Sequence, residues 1–465
     1  MSNSRTGVPV EAPRYLEGRL HWYGCDLHET AGLYETPAHV GCTEAVRDSL
    51  EAFRAPFRSA GLPAEVRYSV KTNPLPAFLE ALRLQGTGFE VCSSHELDLV
   101  NRMGIRGEKI VATGLRDGFS FAVRAGEIGV EMLTVATEGQ LQTIVRENGE
   151  LPDRFPLALT ICPELLRGRW DLTLNTGAKG AATGFRPGSA LLEEAMSAIA
   201  AHRKLELVGL HMHIGSGIRS AAPYRKGIKA LERIIRTAAQ FGQSIRIVDI
   251  GGGYGLKSAP VLGAWKIVSS LLGPGGAPSA APSADSILAD VTQSLADSFA
   301  RLKRQGICPE KVIAEPGRIV SGPCQLLLLT VVDVIDRGRG GRFLLCDGGS
   351  MAISPMLMTE GHRVLSVIEP DGDLLRYRVL GNMPTSLDRV SASALLPMMH
   401  PGDRIAVLDT GAYFISMNNT FSGPRPPVIW IENGQARLAR RRETEAEVFS
   451  RDLEPGSTIG KESSP

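Results

Sequence analysis

Between about residues 45 and 320, short apolar runs alternate with longer amphipathic stretches. A short apolar run bounded by turn residues reads as a buried strand, and apolar positions at helical spacing read as a helix packed against it. Strands are predicted at Arg67–Val70, Gly88–Val91, Lys109–Thr113, Met132–Val135, Leu157–Ile161, Leu205–His211, Ile245–Ile250 and Ile313–Glu315. Pro76–Gln85, Ser94–Met103 and Tyr224–Phe241 carry the helical pattern between them. Such alternation predicts a parallel sheet with crossover helices. Roughly eight units suit a closed (β/α)8 TIM-like barrel better than an open doubly wound sheet, which is the alternative topology.

Past about residue 320 the pattern changes. Gln325–Ile335, Arg342–Leu345, Val364–Val367, Leu374–Leu380, Arg404–Leu408 and Val428–Ile431 read as strands. Pro370-Asp371-Gly372 and Pro401-Gly402-Asp403 are turn signals between them. This predicts an all-β domain over 321–452, of sandwich or barrel type, after a barrel over 45–320. The tail, 453–465, is expected to be disordered. Gly273–Ser286 is rich in Gly, Pro, Ala and Ser and reads as a flexible surface insertion.

Composition narrows the function classes. The chain has 465 residues, too many for one ordinary core. Its formal net charge of +1 provides no field for nucleic acid or an anionic membrane. No apolar run reaches the roughly 18 residues of a membrane span, and the polar start, Met1 to Pro13, lacks a signal-peptide core. The cysteines number 7 and form no CxxC pair, so neither a disulfide framework nor a metal site is expected. A reducing, cytoplasmic setting follows.

Chemistry is concentrated at the predicted strand ends. Lys71, in YSVKTNP, follows an apolar strand and would point to a barrel mouth, where desolvation makes an amine nucleophilic. By itself such a lysine is most often solvated. His211 and His213, in HMHIGSG, fall on one side of a strand, and Ser216 with its flanking glycines offers donors to a phosphate. The bland reading is a polar strand end and a turn. Gly251, Gly252 and Gly253 end a buried strand and would let backbone amides approach an anion, without the lysine of a P-loop. Glu315 and Arg318, in EPGR, place an acid and a base after another strand, or merely form a surface ion pair. Together these are the parts that a phosphorylated aldehyde cofactor needs.

The ordered set YSVKTNP, FEVCSSHEL, HMHIGSG, VDIGGGYG, EPGR, CDGG and DTGAYFISM resembles the fold-type III pyridoxal-phosphate decarboxylases. These act on diaminopimelate, ornithine or arginine. The resemblance implies pyridoxal 5'-phosphate, a barrel followed by a β domain that residues 1–44 join, and a homodimer with interface active sites. It implies that Lys71 is the Schiff-base lysine, Glu315 the partner of the pyridine nitrogen and His213 the residue stacked on the ring. Ser216, Gly251, Gly252, Gly253, Gly317, Arg318 and Tyr413 match cofactor-binding positions. Glu90 and Glu96 match acids near the lysine. Arg318, Asp347 and Tyr413 match positions that can meet the substrate.

The departures carry as much information. Diaminopimelate decarboxylases have a Cys-Glu-Ser segment whose cysteine protonates the carbanion; Pro384 and Thr385 stand there. Their arginine and tyrosine for a distal carboxylate align with Ser354 and Met358. Losing such charge-assisted contacts removes several kcal/mol of discrimination, roughly. The expected activity is therefore decarboxylation of a small-molecule, conjugated or carrier-bound amino acid in specialised, siderophore-like biosynthesis. The alternatives are a different outcome after carbanion formation, such as decarboxylation-dependent transamination, or a silent cofactor-binding homologue.

Overall fold

The predicted barrel strands form, with shifted ends. They are β1 (Ala64–Ser69), β2 (Gly88–Val91), β3 (Ile110–Thr113), β4 (Met132–Val135), β5 (Phe155–Thr160), β6 (Leu205–His211), β7 (Ile247–Asp249) and β8 (Lys311–Ala314). Every neighbouring pair is parallel, and β8 pairs with β1, which closes the barrel and rules out the open sheet. The computed structural model describes residues 10–114, 117–165, 176–240, 242–262, 284–421 and 423–452. The Gly273–Ser286 segment lies outside them up to residue 283, and its last residues open the helix Ala284–Lys303. The tail expected to be disordered also lies outside, as does Phe241 at the end of a helix that runs Ala222–Gln240. No helix among the described residues is long and apolar enough to cross a membrane.

The barrel interior is layered. Val111, Met132, Ala158, Val208, Ile247 and Ile313, each from a different strand, form an apolar plug. Below it, at the N-terminal ends of the strands, lies a charged floor. Arg67 is 1% exposed and donates through Nε to Glu131 at 2.8 Å and through Nη2 to Glu65 at 2.7 Å. Lys311 Nζ donates to the other oxygen of Glu131 at 2.6 Å. Gly88 makes room for this floor, since a Cβ there would lie 2.7 Å from Arg67 Cδ. Strand alternation explains the order along β1: Glu65, Arg67 and Ser69 face inward, while Val66 and Tyr68 face the helices, with Tyr68 packed on Phe78.

The second sheet is built on β9 (Gln325–Asp336). Leu326 and Leu328 belong to the barrel-side core, whereas Leu327 and Leu329 belong to a separate core with Val407, Tyr377 and Phe414. A strand buried on both faces needs an unbroken apolar run, and Leu326–Leu329 is that run. β9 pairs with Ala38–Cys42, with β10 (Arg342–Cys346) and with β14 (Arg404–Val407). Between these last two in sequence lie β11 (Val364–Ser366), β12 (Leu375–Leu380) and β13 (Arg389–Leu396). β15 (Val428–Glu432) pairs with Ala38–Cys42 and with β16 (Gln435–Arg440). Arg389–Leu396 and Gln435–Arg440 are strands that the sequence pattern did not show. Both are polar or small-residue segments that borrow their conformation from a paired neighbour.

The floor gives a stability prediction. Arg67→Ala leaves Glu131 and Glu65 short of a buried counter-charge and should cost about 3–5 kcal/mol. Arg58→Ala, which removes only the exposed pair with Glu51, should cost less than about 1 kcal/mol. Urea unfolding of both variants checks the contrast.

Candidate active site

The C-terminal ends of the strands bring the sequence motifs together. Lys71 lies just beyond β1, in the 3-10 turn Val70–Thr72. Its Nζ donates to Glu90 Oε2 at 2.7 Å, and Ser69 Oγ donates to the same oxygen at 2.5 Å. Glu90 is 1% exposed, while the lysine side chain remains 39% exposed at the mouth. Desolvation works against the lysine's charge, but Glu90 and then Glu315 outweigh it and hold the amine above its ordinary range. At the end of β2, Cys92 N donates to Glu96 at 2.8 Å. Burial, then the Glu96 carboxylate, pushes the Cys92 thiol up to about 12, so it stays protonated.

Three buried groups face one another across β6, β7 and the residue after β8. The ligand atoms of His211, Asp249 and Glu315 all lie within 4.8 Å of each other. His211 Nδ1 contacts Thr160 Oγ1 at 3.0 Å, and its Nε2 lies 3.6 Å from Glu315 Oε2. Burial opposes ionisation of both acids, yet they part. His211, then Lys71, pull Glu315 down to about 2, whereas burial and the Glu315 charge push Asp249 well up. Glu315 therefore carries the charge and Asp249 the proton. His213 sits above them, its imidazole lowered to about 4 by burial and then by Lys71. Asp249 was not singled out by its sequence position. Its inward register beside Glu315, set by β7 lying between β6 and β8, is a tertiary fact.

The glycine turns close on each other. A Cβ at Gly251 would lie 2.3 Å from Met212 O, one at Gly252 2.2 Å from Glu315 O, and one at Gly253 2.2 Å from Gly215 O. The three glycines thus let neighbouring strand ends meet, and Gly251 N donates to Asp249 Oδ1 at 2.8 Å. Ile218 N donates to Gly253 O at 2.8 Å, which ties the loop carrying Ser216 to the loop of glycines. Tyr224 OH supports Gly252 O at 2.8 Å. Gly317 packs on Thr72. Tyr413 N donates to Thr72 O at 2.8 Å, and the Arg318 guanidinium lies over the Tyr413 ring, 5.0 Å from its centroid.

The remaining predicted residues sit differently. Asp347 accepts from Thr36 Oγ1 at 2.6 Å and from Thr330 N at 2.9 Å, so both oxygens are engaged in the β domain. Ser354 is fully buried, and its Oγ donates to Tyr413 O at 3.4 Å. Met358 is part-exposed on the short helix Met356–Thr359. Thr385 lies on a loop held by Asp388, which accepts from Met351 N at 2.9 Å and Met383 N at 3.0 Å. No described contact links that loop to Lys71.

Comparison with known proteins decides the family. The profile described as "Pyridoxal-dependent decarboxylase, pyridoxal binding domain" matches residues 44–322, more than half of the chain. The chain belongs to this family. It is 26% identical to the diaminopimelate decarboxylase of Aquifex aeolicus over 92% of this chain and 94% of that protein. It is 27% identical to that of Corynebacterium efficiens over 96% and 94%. Among solved structures, the diaminopimelate decarboxylase of M. jannaschii superposes with a TM-score of 0.84 at 22% identity, covering 96% of this chain and 98% of that one. The protein is thus a pyridoxal-phosphate-dependent carboxy-lyase of the amino-acid decarboxylase type.

The residues present fit that cofactor. Glu315 Oε1, Asp249 Oδ2 and Arg318 Nε are buried and have no hydrogen-bond partner among the described residues. An ionised carboxylate acceptor suits a protonated ring nitrogen, and a guanidinium N–H suits a phosphate.

The carboxyl pair makes a pH prediction. Asp249 is neutral in the folded chain where an unfolded aspartate is ionised. Its contribution is present below the unfolded pKa and is lost as pH rises toward the folded one. Asp249→Asn, which has no such loss, should gain on the wild type in urea midpoints as pH rises above the ordinary aspartate range. A pH-independent difference would count against the assignment.

Proposed function

We propose that this enzyme decarboxylates an amino acid whose distal end is masked, as a conjugate or on a carrier protein, in specialised biosynthesis. Bound pyridoxal phosphate supplies the electron sink for the electrons left by CO2. Lys71 is its point of attachment, with Glu315 on the ring nitrogen and His213 on the ring face. Ser216, Gly251, Gly252, Gly253, Gly317, Arg318 and Tyr413 hold the phosphate. Glu90 orients Lys71 Nζ through the 2.7 Å contact and keeps it charged with Glu315. That ammonium would be a proton source at the barrel mouth, which matters because Pro384 has no proton to give.

The observation that carries the substrate reading is the pair Ser354 and Met358. One is buried with its hydroxyl on Tyr413 O and the other is a thioether, so neither holds a second carboxylate. Diaminopimelate, which the curated relatives' names indicate as their substrate, has such a group. The same reading takes the enzyme as a homodimer, supported by the exposed lysine and by Pro384 and Ser386 standing exposed on their loop.

Two measurements test it. Borohydride reduction of the holoenzyme should fix the cofactor's mass on the peptide containing Lys71. Lys71→Ala should lose that adduct and at least roughly 10²-fold of CO2 release. In a panel of free and conjugated amino acids, CO2 release should favour substrates without a free distal carboxylate. A preference for diaminopimelate would overturn the substrate reading.

A further inference from the structure

Resting on the reading above, we infer that Glu360 is a specificity-determining residue. It occupies the guanidinium of Arg318 from within the chain and so closes the site to substrates with an anionic tail.

Glu360 follows the helix Met356–Thr359, two residues beyond Met358. It is 5% exposed, and Arg318 is 8% exposed. Arg318 Nη1 donates to Glu360 Oε1. The other carboxylate oxygen lies 3.3 Å from His362 Nε2, and His362 Nδ1 is in turn held by Leu408 O at 2.9 Å. The backbone is also pinned. Leu262 N donates to Thr359 O at 2.7 Å and Gly361 N to Pro260 O at 3.0 Å, on either side of Glu360. The carboxylate is thus held by Arg318 on one oxygen and positioned by its pinned backbone.

Its location gives this clamp a consequence. Arg318 lies over the Tyr413 ring, and Tyr413 hydrogen-bonds Thr72, the residue after Lys71. A buried guanidinium in that place is an obvious anchor for a carboxylate. Here Nη1 is taken by Glu360, and Nε, which has no partner among the described residues, is left for the cofactor phosphate. A substrate carboxylate entering beside Ser354 and Met358 would meet a carboxylate already in place, and like charges in a buried site repel strongly. A neutral tail meets no such charge. The residue thus rejects one substrate class rather than attracting another.

The test uses the holoenzyme and a matched pair of probes, 2-aminoadipate and its side-chain amide. Calorimetry gives both dissociation constants, and the visible absorbance of the lysine-bound cofactor confirms loading. The wild type should bind the amide more tightly. Glu360→Gln keeps the shape but removes the charge, and should move the ratio of the two constants toward the carboxylate by at least about tenfold. Glu360→Asp keeps the charge and should retain the wild-type preference. A ratio unmoved by Glu360→Gln overturns the inference, as does a wild type that prefers 2-aminoadipate or responds to neither probe. The wild-type comparison stands even if Glu360→Gln does not fold. A wild type that shows no cofactor band fails the underlying reading instead, a result distinct from a loaded enzyme with the wrong preference.

Discussion

Glu90 accepts from both Ser69 Oγ and Lys71 Nζ on one oxygen, from a position with almost no solvent access. A carboxylate in that place is costly unless cations and donors surround it. The rest of the mouth can be understood as the compensation. Lys71 stabilises Glu90 and Glu315, His211 stabilises Glu315, and Asp249 takes a proton so that two adjacent carboxylates need not both be charged. The amine proposed as the attachment point is therefore also the cation that makes its acidic surroundings tolerable. Its removal would disturb electrostatics as well as attachment.

The barrel supports this arrangement from below. An apolar plug separates the mouth from the charged floor of Arg67, Glu131, Glu65 and Lys311, so the two ionic clusters do not share charges. The β domain supports it from the side. Tyr413, Ser354 and Glu360 all come from beyond residue 320, yet they reach Thr72 and Arg318. The site is a joint product of barrel and β domain. The residues proposed to bear on substrate choice, Ser354, Met358 and Glu360, therefore come from the β domain, and the proposed attachment residue, Lys71, from the barrel.

How much of this was legible differs by kind of residue. Lys71, His213, Glu315 and the glycine run could be named because each ends an apolar strand, where a polar residue stands out. The glycines were read as leaving space for an anion. The structure adds that they leave space for Met212, Glu315 and Gly215 backbone, a packing need invisible without knowing which strands adjoin. Asp347 looked like a substrate contact from its motif, but its oxygens are engaged by Thr36 and Thr330, which are remote in sequence.

The sequence by itself determined the period and therefore the architecture. Alternating strand and helix patterns specify a barrel, and the unbroken Leu326–Leu329 run specifies a strand with both faces covered. It also determined which chemical groups stand at strand ends. Only the tertiary structure decided which of those groups share charge. The ionisation of Asp249 and Glu315, and the capture of Arg318 by Glu360 across 42 positions of chain, depend on distances of a few ångströms between distant segments. Coulomb energy and desolvation act over those distances, not along the sequence, so local pattern carries no record of them.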